Sequence, residues 1–508
     1  MKTMLRILSL GSALLCLSLF LRGQDLALQL ALELKAGRVS YPIVNEPQQE
    51  ICLLLMDNRS VTAYLLDATF QTKKQLSFQD AQAMSKLGDA VGHFYENDMY
   101  VAVIKDHRTG IYSFLELNFK EDKITYHDQR RFTIPEGDEV LATFSAEGSF
   151  YVLTVMHNPQ ALRLFKINKM GIPKITAFNL PPKLELSKEN KDTRDLHRYL
   201  SKQNLSRTIQ FSKMEDNISA ASILSSVTTH KAYFRGDSLL LTIDALNAAT
   251  HLITLNLNTQ TFNYKKLDYP KISCSTTDVV TIKPQGNSFL YQNTLFQIKS
   301  CPSGAKIGIR SLTEDNFIKE FQFTGRDTAI SFQNTPILLK QERNKKVAKE
   351  KILTRPAELL ARIDEYNVAI AAWENAQGQV EMVVGAQMLY IPQGGGGMTF
   401  MPGTPGFSTP YGAVPGSPGR WVSNPTYSSF STSGLDRIVQ FKSLLTEAGE
   451  HIPGEMKPNA HERLQEAIEQ QFDEKEFAAE TIFYFNNAFY LGTYNKENQQ
   501  FALYRYQD

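Results

Sequence analysis

Apolar residues alternate with polar ones in short runs along most of this chain, and polar or glycine-containing turns end each run. DMYVAVIKDHRTGIYSFLELNF, residues 98–119, shows the unit: an apolar strand, a polar turn and a second apolar strand. The unit recurs at 49–70, 148–171, 236–260, 293–316, 366–388 and 487–508, which with 98–119 makes seven copies. Ile51, Met99 and Phe150 mark equivalent places in the first three, a step of about 50 residues. A further strand often follows a copy, as in KITYHDQRRFTI and TFNYKKLDYP. A short one often precedes it, as in VGHFY, LATFS and KAYFR.

Four strands per unit and seven units are the grammar of a β-propeller, because one such sheet cannot cover its own faces and radial stacking covers them. The expected fold is all-β: a propeller of about seven four-stranded blades with helical and Gly/Pro-rich loop inserts, one domain over 25–508. In this architecture the chain resembles secreted β-propeller proteins. No Trp-Asp repeat, kelch diglycine or sialidase Ser-x-Asp-x-Gly box ties it to a named propeller family. The last unit reaches Asp508 one strand short. ALQLALEL, 27–34, reads either as the strand that completes that blade, with Leu28, Leu30, Leu32 and Leu34 on one face, or as a short helix.

Four inserts interrupt the repeats. Residues 183–207 are highly charged. Residues 340–362 hold Lys345, Lys346, Lys349 and Lys351 among Glu342 and Glu350, the composition of a solvated helix face. Residues 392–434 are rich in Gly, Pro and Ser and form a long loop between two strands of one blade, with Leu435 onward resuming as a strand. Its Phe400, Phe407, Tyr411, Trp421, Tyr427 and Phe430 are the candidate binding residues, since aromatic side chains supply contact area at little entropic cost. Residues 459–477 read as a helix with Asn459 as N-cap, Glu462 closing a capping box and Leu464 and Ile468 on the buried face.

The first residues suggest export. Lys2 and Arg6 precede an apolar run from Ile7 to Leu21, so 1–23 reads as a signal peptide cut near Gly23–Gln24. Cys16 is preceded by Leu15 and does not fit a lipid-attachment site. The expected location is therefore periplasmic, envelope-associated or extracellular. No later stretch is apolar enough to span a membrane as a helix. Of the other cysteines, Cys274 and Cys301 are a candidate disulfide and Cys52, in EICLLLM, reads as a small buried hydrophobe.

Candidate chemistry is sparse. The formal net charge of +1, with export, disfavours nucleic acid as a partner. The sequence holds no H-E-x-x-H helix, CxxC pair, Asp-rich calcium loop, Walker motif or G-x-S-x-G elbow, so no metal site or cofactor is expected; catalytic residues are not identified, because a propeller site gathers residues from several blades and spacing tests it weakly. His93 and His107 fall near strand ends, and Glu136, Asp138 and Glu139 share one turn, which does not place two carboxylates across a substrate. The leading expectation is a secreted, non-catalytic binding or assembly module of the cell envelope. It would contact protein or envelope glycan through a propeller face or the 392–434 loop. The alternative is a carbohydrate-active hydrolase or lyase with its site at the central channel.

Overall fold

The computed structural model describes residues 25–507 apart from 36–37, 81–83, 85–87, 107–108, 157–160, 169–171, 180–199, 201–211, 215–222, 245–247, 275–284, 344–345, 389–434 and 472–475. Seven antiparallel sheets form a β-propeller. Blades 1 to 3 span 39–79, 89–132 and 138–179. Blade 4 spans 230–268 and blade 5 spans 285–324. Blade 6 is built from 337–353, 367–388 and 435–445, and blade 7 from 477–506 with 25–31. The first strand of each repeat lies nearest the axis, except that in blade 4 the short strand Ser212–Met214 lies inside it: Val39–Asn45, Asp89–Glu96, Asp138–Ala146, His230–Arg235, Gln285–Tyr291, Asn367–Glu374 and Phe477–Phe485. The face on which these strands begin is called proximal below, and the face on which they end distal.

Position in the blade explains the residue patterns. The second strand of blade 1, Glu50–Met56, is buried at every position because neighbouring blades cover both its faces. The fourth strand of blade 5, Asn316–Thr324, lies at the rim and alternates exposed with half-buried residues. Turns between first and second strands use left-handed residues, among them Asn97 (φ 52°), Gln292 (φ 46°) and the pair Asn486 and Asn487 (φ 47° and 57°), as tight hairpins demand.

The core lies between blades. Tyr41, Leu54, Ala102 and Leu115 pack blade 1 on blade 2, while Leu153, Leu164, Leu241 and Ile253 pack blade 3 on blade 4. Polar groups stitch the inner strands together around the ring. Ser40 Oγ donates to the Ala479 carbonyl (2.6 Å), Tyr41 Oη meets His93 Nδ1 (3.1 Å), and the His93 amide donates to Ser145 Oγ (2.7 Å). His93 is thus a half-buried tie between inner strands, and His107 lies outside the described residues.

The ring closes at its two ends. Asp25–Ala31 pairs antiparallel with Gln500–Tyr506 as the outermost strand of blade 7, with Leu28 opposite Leu503 and Leu30 opposite Phe501. Of the two readings of 27–34, the strand is the one adopted. The local leucine spacing fits both, and the unpaired edge of Gln500–Tyr506 decides between them.

Blade 6 departs from the repeat. Its copy, 366–388, supplies the first and second strands, whereas the other copies supply the second and third. The third strand is Leu435–Leu445, after the 389–434 segment, as the sequence suggested. The fourth and fifth come from a hairpin earlier in the chain, Ile337–Arg343 and Lys346–Leu353. The basic stretch expected as a helical insert is therefore mostly a β-hairpin, followed by helix Pro356–Glu365. Val347, Ile352 and Leu353 among the lysines fit an edge strand, and lysines there protect the edge from further pairing. Blade 4 also has five strands, because Ser212–Met214 pairs in parallel with His230–Arg235 on the axial side.

Candidate functional site

The inner strands of blades 5, 6 and 7 end around a distal cleft of about 500 Å³. Tyr291 and Gln292 come from blade 5, Trp373, Glu374, Asn375 and Ala376 from blade 6, and Tyr484, Asn487 and Phe489 from blade 7. Ala460 and Gln507 complete the lining.

Strand alternation sorts these side chains. Trp373 and Glu374 are consecutive at the end of one inner strand, so the indole turns into the blade 6–blade 7 boundary while the carboxylate stands exposed. There Trp373 stacks on Phe489 with centroids 6.0 Å apart and planes at 24°, and Tyr484 meets Phe489 edge-on at 5.1 Å. The indole N–H of Trp373 makes no hydrogen bond among the described residues.

Glu374 is held from the neighbouring blade. Tyr291 Oη donates to its Oε2 at 2.6 Å, and Gln292 Nε2 donates to the same oxygen at 3.2 Å and to Tyr291 Oη at 2.9 Å. Asn375 is committed to the turn, its Oδ1 accepting from the amides of Gln377 and Gln379 at 3.0 Å each. Among the described residues that line the cleft, Glu374 is the one acidic side chain and none is Lys, Arg or His, while Arg235 donates to the Gln292 carbonyl and Arg463 and Arg505 donate to Gln507.

Helix Ala460–Gln471 forms the wall between blades 6 and 7. Asn459 Oδ1 accepts the Glu462 amide (3.0 Å) and Glu462 Oε2 accepts the Asn459 amide (3.1 Å), which is the capping box read from the sequence. Leu464 and Ile468 are buried, as their spacing predicts. Lys442 on the third strand of blade 6 fixes the first turn, with Nζ 2.7 Å from Glu462 Oε2 and 3.4 Å from Glu381 Oε2. Asn459 Nδ2 donates to Glu381 Oε2 at 2.8 Å. His461 is buried in that turn, edge-on to Phe489. Burial, then the Lys442 charge, pushes its imidazole down to about 3, so it is neutral at pH 7.

A second polar cluster sits toward the proximal face. The wholly buried Asp244 accepts from Thr250 Oγ1 (2.8 Å), Tyr269 Oη (2.7 Å), Ser288 Oγ (2.9 Å) and the Ser288 amide (3.1 Å). Lys231 Nζ lies 3.6 Å from Asp244 Oδ2 and donates to Asn287 Oδ1 at 2.6 Å. Asn287 Nδ2 donates to the carbonyls of Ser226, Val227 and Val368. Burial lowers Lys231 to about 8 despite Asp244 beside it. Both charged side chains have no exposed surface, so the cluster clamps blades 4, 5 and 6 rather than meeting solvent. Met214, Ile223 and Val227, from the connection between blades 3 and 4, are buried beside it.

The other residues singled out in the sequence fall elsewhere. Cys274 and Cys301 form a disulfide, Cα atoms 6.3 Å apart, that ties the segment after blade 4 to blade 5, and Cys52 is a buried thiol. The Asp138 side chain is buried and bound by Thr154 Oγ1 (2.9 Å) and Arg163 (3.1 Å), a structural role. Phe400, Phe407, Tyr411, Trp421, Tyr427 and Phe430 lie outside the described residues. The segment carrying them leaves blade 6 after Met388 and returns at Leu435, on the proximal face and opposite the cleft. Spacing could not assemble the cleft, because Tyr291 and Glu374 are 83 residues apart. The signal available was local: a strand ending Trp-Glu before a polar turn.

No protein-family model matches this sequence, and no curated protein matches it. Solved structures similar to it include a prolyl endopeptidase at 9% identity and TM-score 0.28, over 70% of this chain and 47% of that one. The dihydro-heme d1 dehydrogenase NirN matches at 11% identity and TM-score 0.25, over 68% and 62%. The subtype N10 neuraminidase-like protein of A/little yellow-shouldered bat/Guatemala matches at 9% identity and TM-score 0.25, over 71% and 95%. The chain thus spans about half the length of the prolyl endopeptidase.

Proposed function

We propose that this chain is a non-catalytic binding module, exported to the cell envelope, that engages a partner through the distal cleft of blades 5, 6 and 7. The observation that carries this reading is the make-up of the cleft. Trp373, Phe489 and Tyr484 line the cleft with a carboxylate held by Tyr291 and Gln292, and among the described lining residues that carboxylate is the one acidic group. That arrangement supplies contact area and one directional charge, which recognition needs. Export rests on the basic and apolar pattern of residues 1–23.

Site-specific photocrosslinking tests the reading. A photoreactive amino acid replaces Ala376 on the cleft rim in one variant, and Asn367 on the proximal face in another; both positions are exposed. Irradiation of intact cells is expected to yield a discrete adduct from position 376 and none from 367. Adducts from 367 alone would move the binding surface to the proximal face, where 389–434 leaves its blade, and would overturn the reading.

A further inference from the structure

We propose that the outer edge of blade 6 takes an extended acidic segment of a partner protein as a further strand, and that the cavity at the end of that edge receives one of its aliphatic side chains. This second surface is separate from the distal cleft.

Strand Lys346–Leu353 is the outermost of blade 6, and among the described residues no strand pairs with its far side. It is a fifth strand where blades 5 and 7 have four, so it projects past its neighbours. Lys349, Glu350, Lys351 and Ile352 are accordingly all exposed, whereas the rim strand of blade 5 alternates exposed with half-buried residues. Such an edge offers alternate backbone N–H and C=O groups to an incoming chain.

Charge selects that chain. The strand, KVAKEKIL, holds three lysines and one glutamate. Glu350 lies opposite Lys340 on the next strand and pairs with it at 4.0 Å. Lys349 and Lys351 share the other face, opposite Gln341 and Leu339. Arg437, opposite Gln341 on the third strand, adds a further exposed cation to that face. Glu358 feels the Lys351 charge, but its carboxylate already accepts the amides of Thr354 and Arg355. Two acidic side chains two positions apart on an added strand would therefore meet Lys349 and Lys351. The lysines that guard the edge against general pairing also choose its partner.

The edge ends distally at a cavity of about 380 Å³. Ile352 and Leu353 line it with Ala329, Pro336, Ile337 and Pro356. Ile352 is 57% exposed, an apolar surface that an aliphatic side chain on the added strand would cover. The residue opposite Ile352 adjoins the one opposite Lys351, so the ligand pattern is aliphatic–acidic–x–acidic, or its reverse for the other strand direction.

The test titrates two fluorescein-labelled peptides against the full mature chain in low salt, read by anisotropy. They are Thr-Thr-Ile-Glu-Thr-Glu-Thr-Thr and Thr-Thr-Glu-Thr-Glu-Ile-Thr-Thr. One of them is expected to bind saturably, and raised salt to weaken it. Changing both glutamates to lysine should weaken binding about tenfold, and so should Lys349→Ala with Lys351→Ala at an unchanged near-ultraviolet circular dichroism spectrum. If that variant does not fold, the lysine peptide on the parent chain decides alone. Isoleucine to serine in the peptide should also cost about tenfold. Strand addition uses the amides of every second residue, so N-methylation of one alternate set should cost about tenfold and of the other set little. No saturable binding of either acidic peptide overturns the proposal outright. Equal binding of the lysine peptide overturns the charge selection, and an indifferent serine peptide overturns the seat in the cavity. Equal effects of the two N-methylated sets overturn strand addition. Phosphatidylglycerol vesicles that displace the peptide, and lose binding in the double alanine variant, would assign the edge to a lipid surface and overturn the protein partner.

Discussion

Tyr291 on blade 5 donates its hydroxyl proton to Glu374 on blade 6 at 2.6 Å, so one hydrogen bond both joins two blades and aims the one carboxylate among the described residues of the distal cleft. Tyr291→Phe removes the donor and keeps the ring. A hydrogen bond to a charged group contributes about 1.5–3 kcal/mol, and the exposure of Glu374 places this one near the lower end. The expected outcome is a loss of about 1–2 kcal/mol in urea unfolding, with cleft binding weakened more than stability. An unchanged unfolding midpoint would show that the bond contributes nothing across the boundary.

Gly92 lies on the inner strand of blade 2 because blade 3 comes too close for a side chain. A Cβ there would sit 2.2 Å from the Phe150 ring and 3.0 Å from Ser145 Oγ. Gly92→Ala is expected to destabilise the chain by about 1–3 kcal/mol through overpacking. Adding Phe150→Leu should recover part of that loss. A double variant no better than the single one would show that the clash is not with that ring.

The buried pair of Lys231 and Asp244 behaves differently from a surface ion pair. Asp244→Asn leaves the Lys231 amine without its counter-charge in a site without solvent, at an expected cost of about 3–5 kcal/mol. Lys231→Met in the same chain removes the stranded charge, so the double variant should be less destabilised than the sum of the two. Strict additivity in that cycle would refute the coupling.

Three histidines make the fold sensitive to acid. Burial holds His230 and His461 near 3 and His251 near 4, from an ordinary value of 6.5. In each case the unfolded chain binds the proton more readily. Their contribution is therefore complete above pH 6.5 and is lost as pH falls from 6.5 toward 3 to 4. Each group adds up to about 1.4 kcal/mol per pH unit in that window. Urea midpoints measured from pH 7.5 to pH 5 should fall, and His461→Gln should flatten the slope. A slope indifferent to that substitution would mean that His461 is already protonated in the fold.

Removal of residues 25–31 strips the outer strand from blade 7 and exposes the edge of Gln500–Tyr506. A lower thermal midpoint and self-association in size-exclusion chromatography are expected, because an open edge pairs with other chains. A synthetic DLALQLA peptide added in excess should reverse both. A truncated chain as stable and monomeric as the parent would show that closure does not depend on this pairing.

The blades were legible because short apolar runs, covered on both faces by neighbouring blades, recur between polar turns. Glu50–Met56 and Met99–Lys105 announce themselves as buried strands without help from the rest of the chain. The helix at 460–471 was legible for the same reason, since Asn459 and Glu462 satisfy one another's amides locally. The hairpin 337–353 was not. Its lysines and glutamates suit an exposed helix as well as a rim strand, and its place depends on Leu435–Leu445, which lies beyond a long insert. The cleft was hidden for a stronger reason. Tyr291, Glu374 and Phe489 meet only because three inner strands end at one face, and nothing near any of them in sequence records the other two.

The ring closure also sets a timetable. Gln29 and Gln500 hydrogen-bond across 471 residues, so the pairing that completes the seventh blade waits for almost the whole chain to leave the ribosome. Until then the nascent polypeptide carries an open arc of sheets with its first strand unmatched. Any machinery that handles the chain in an extended state has the full duration of synthesis in which to act before the circle locks.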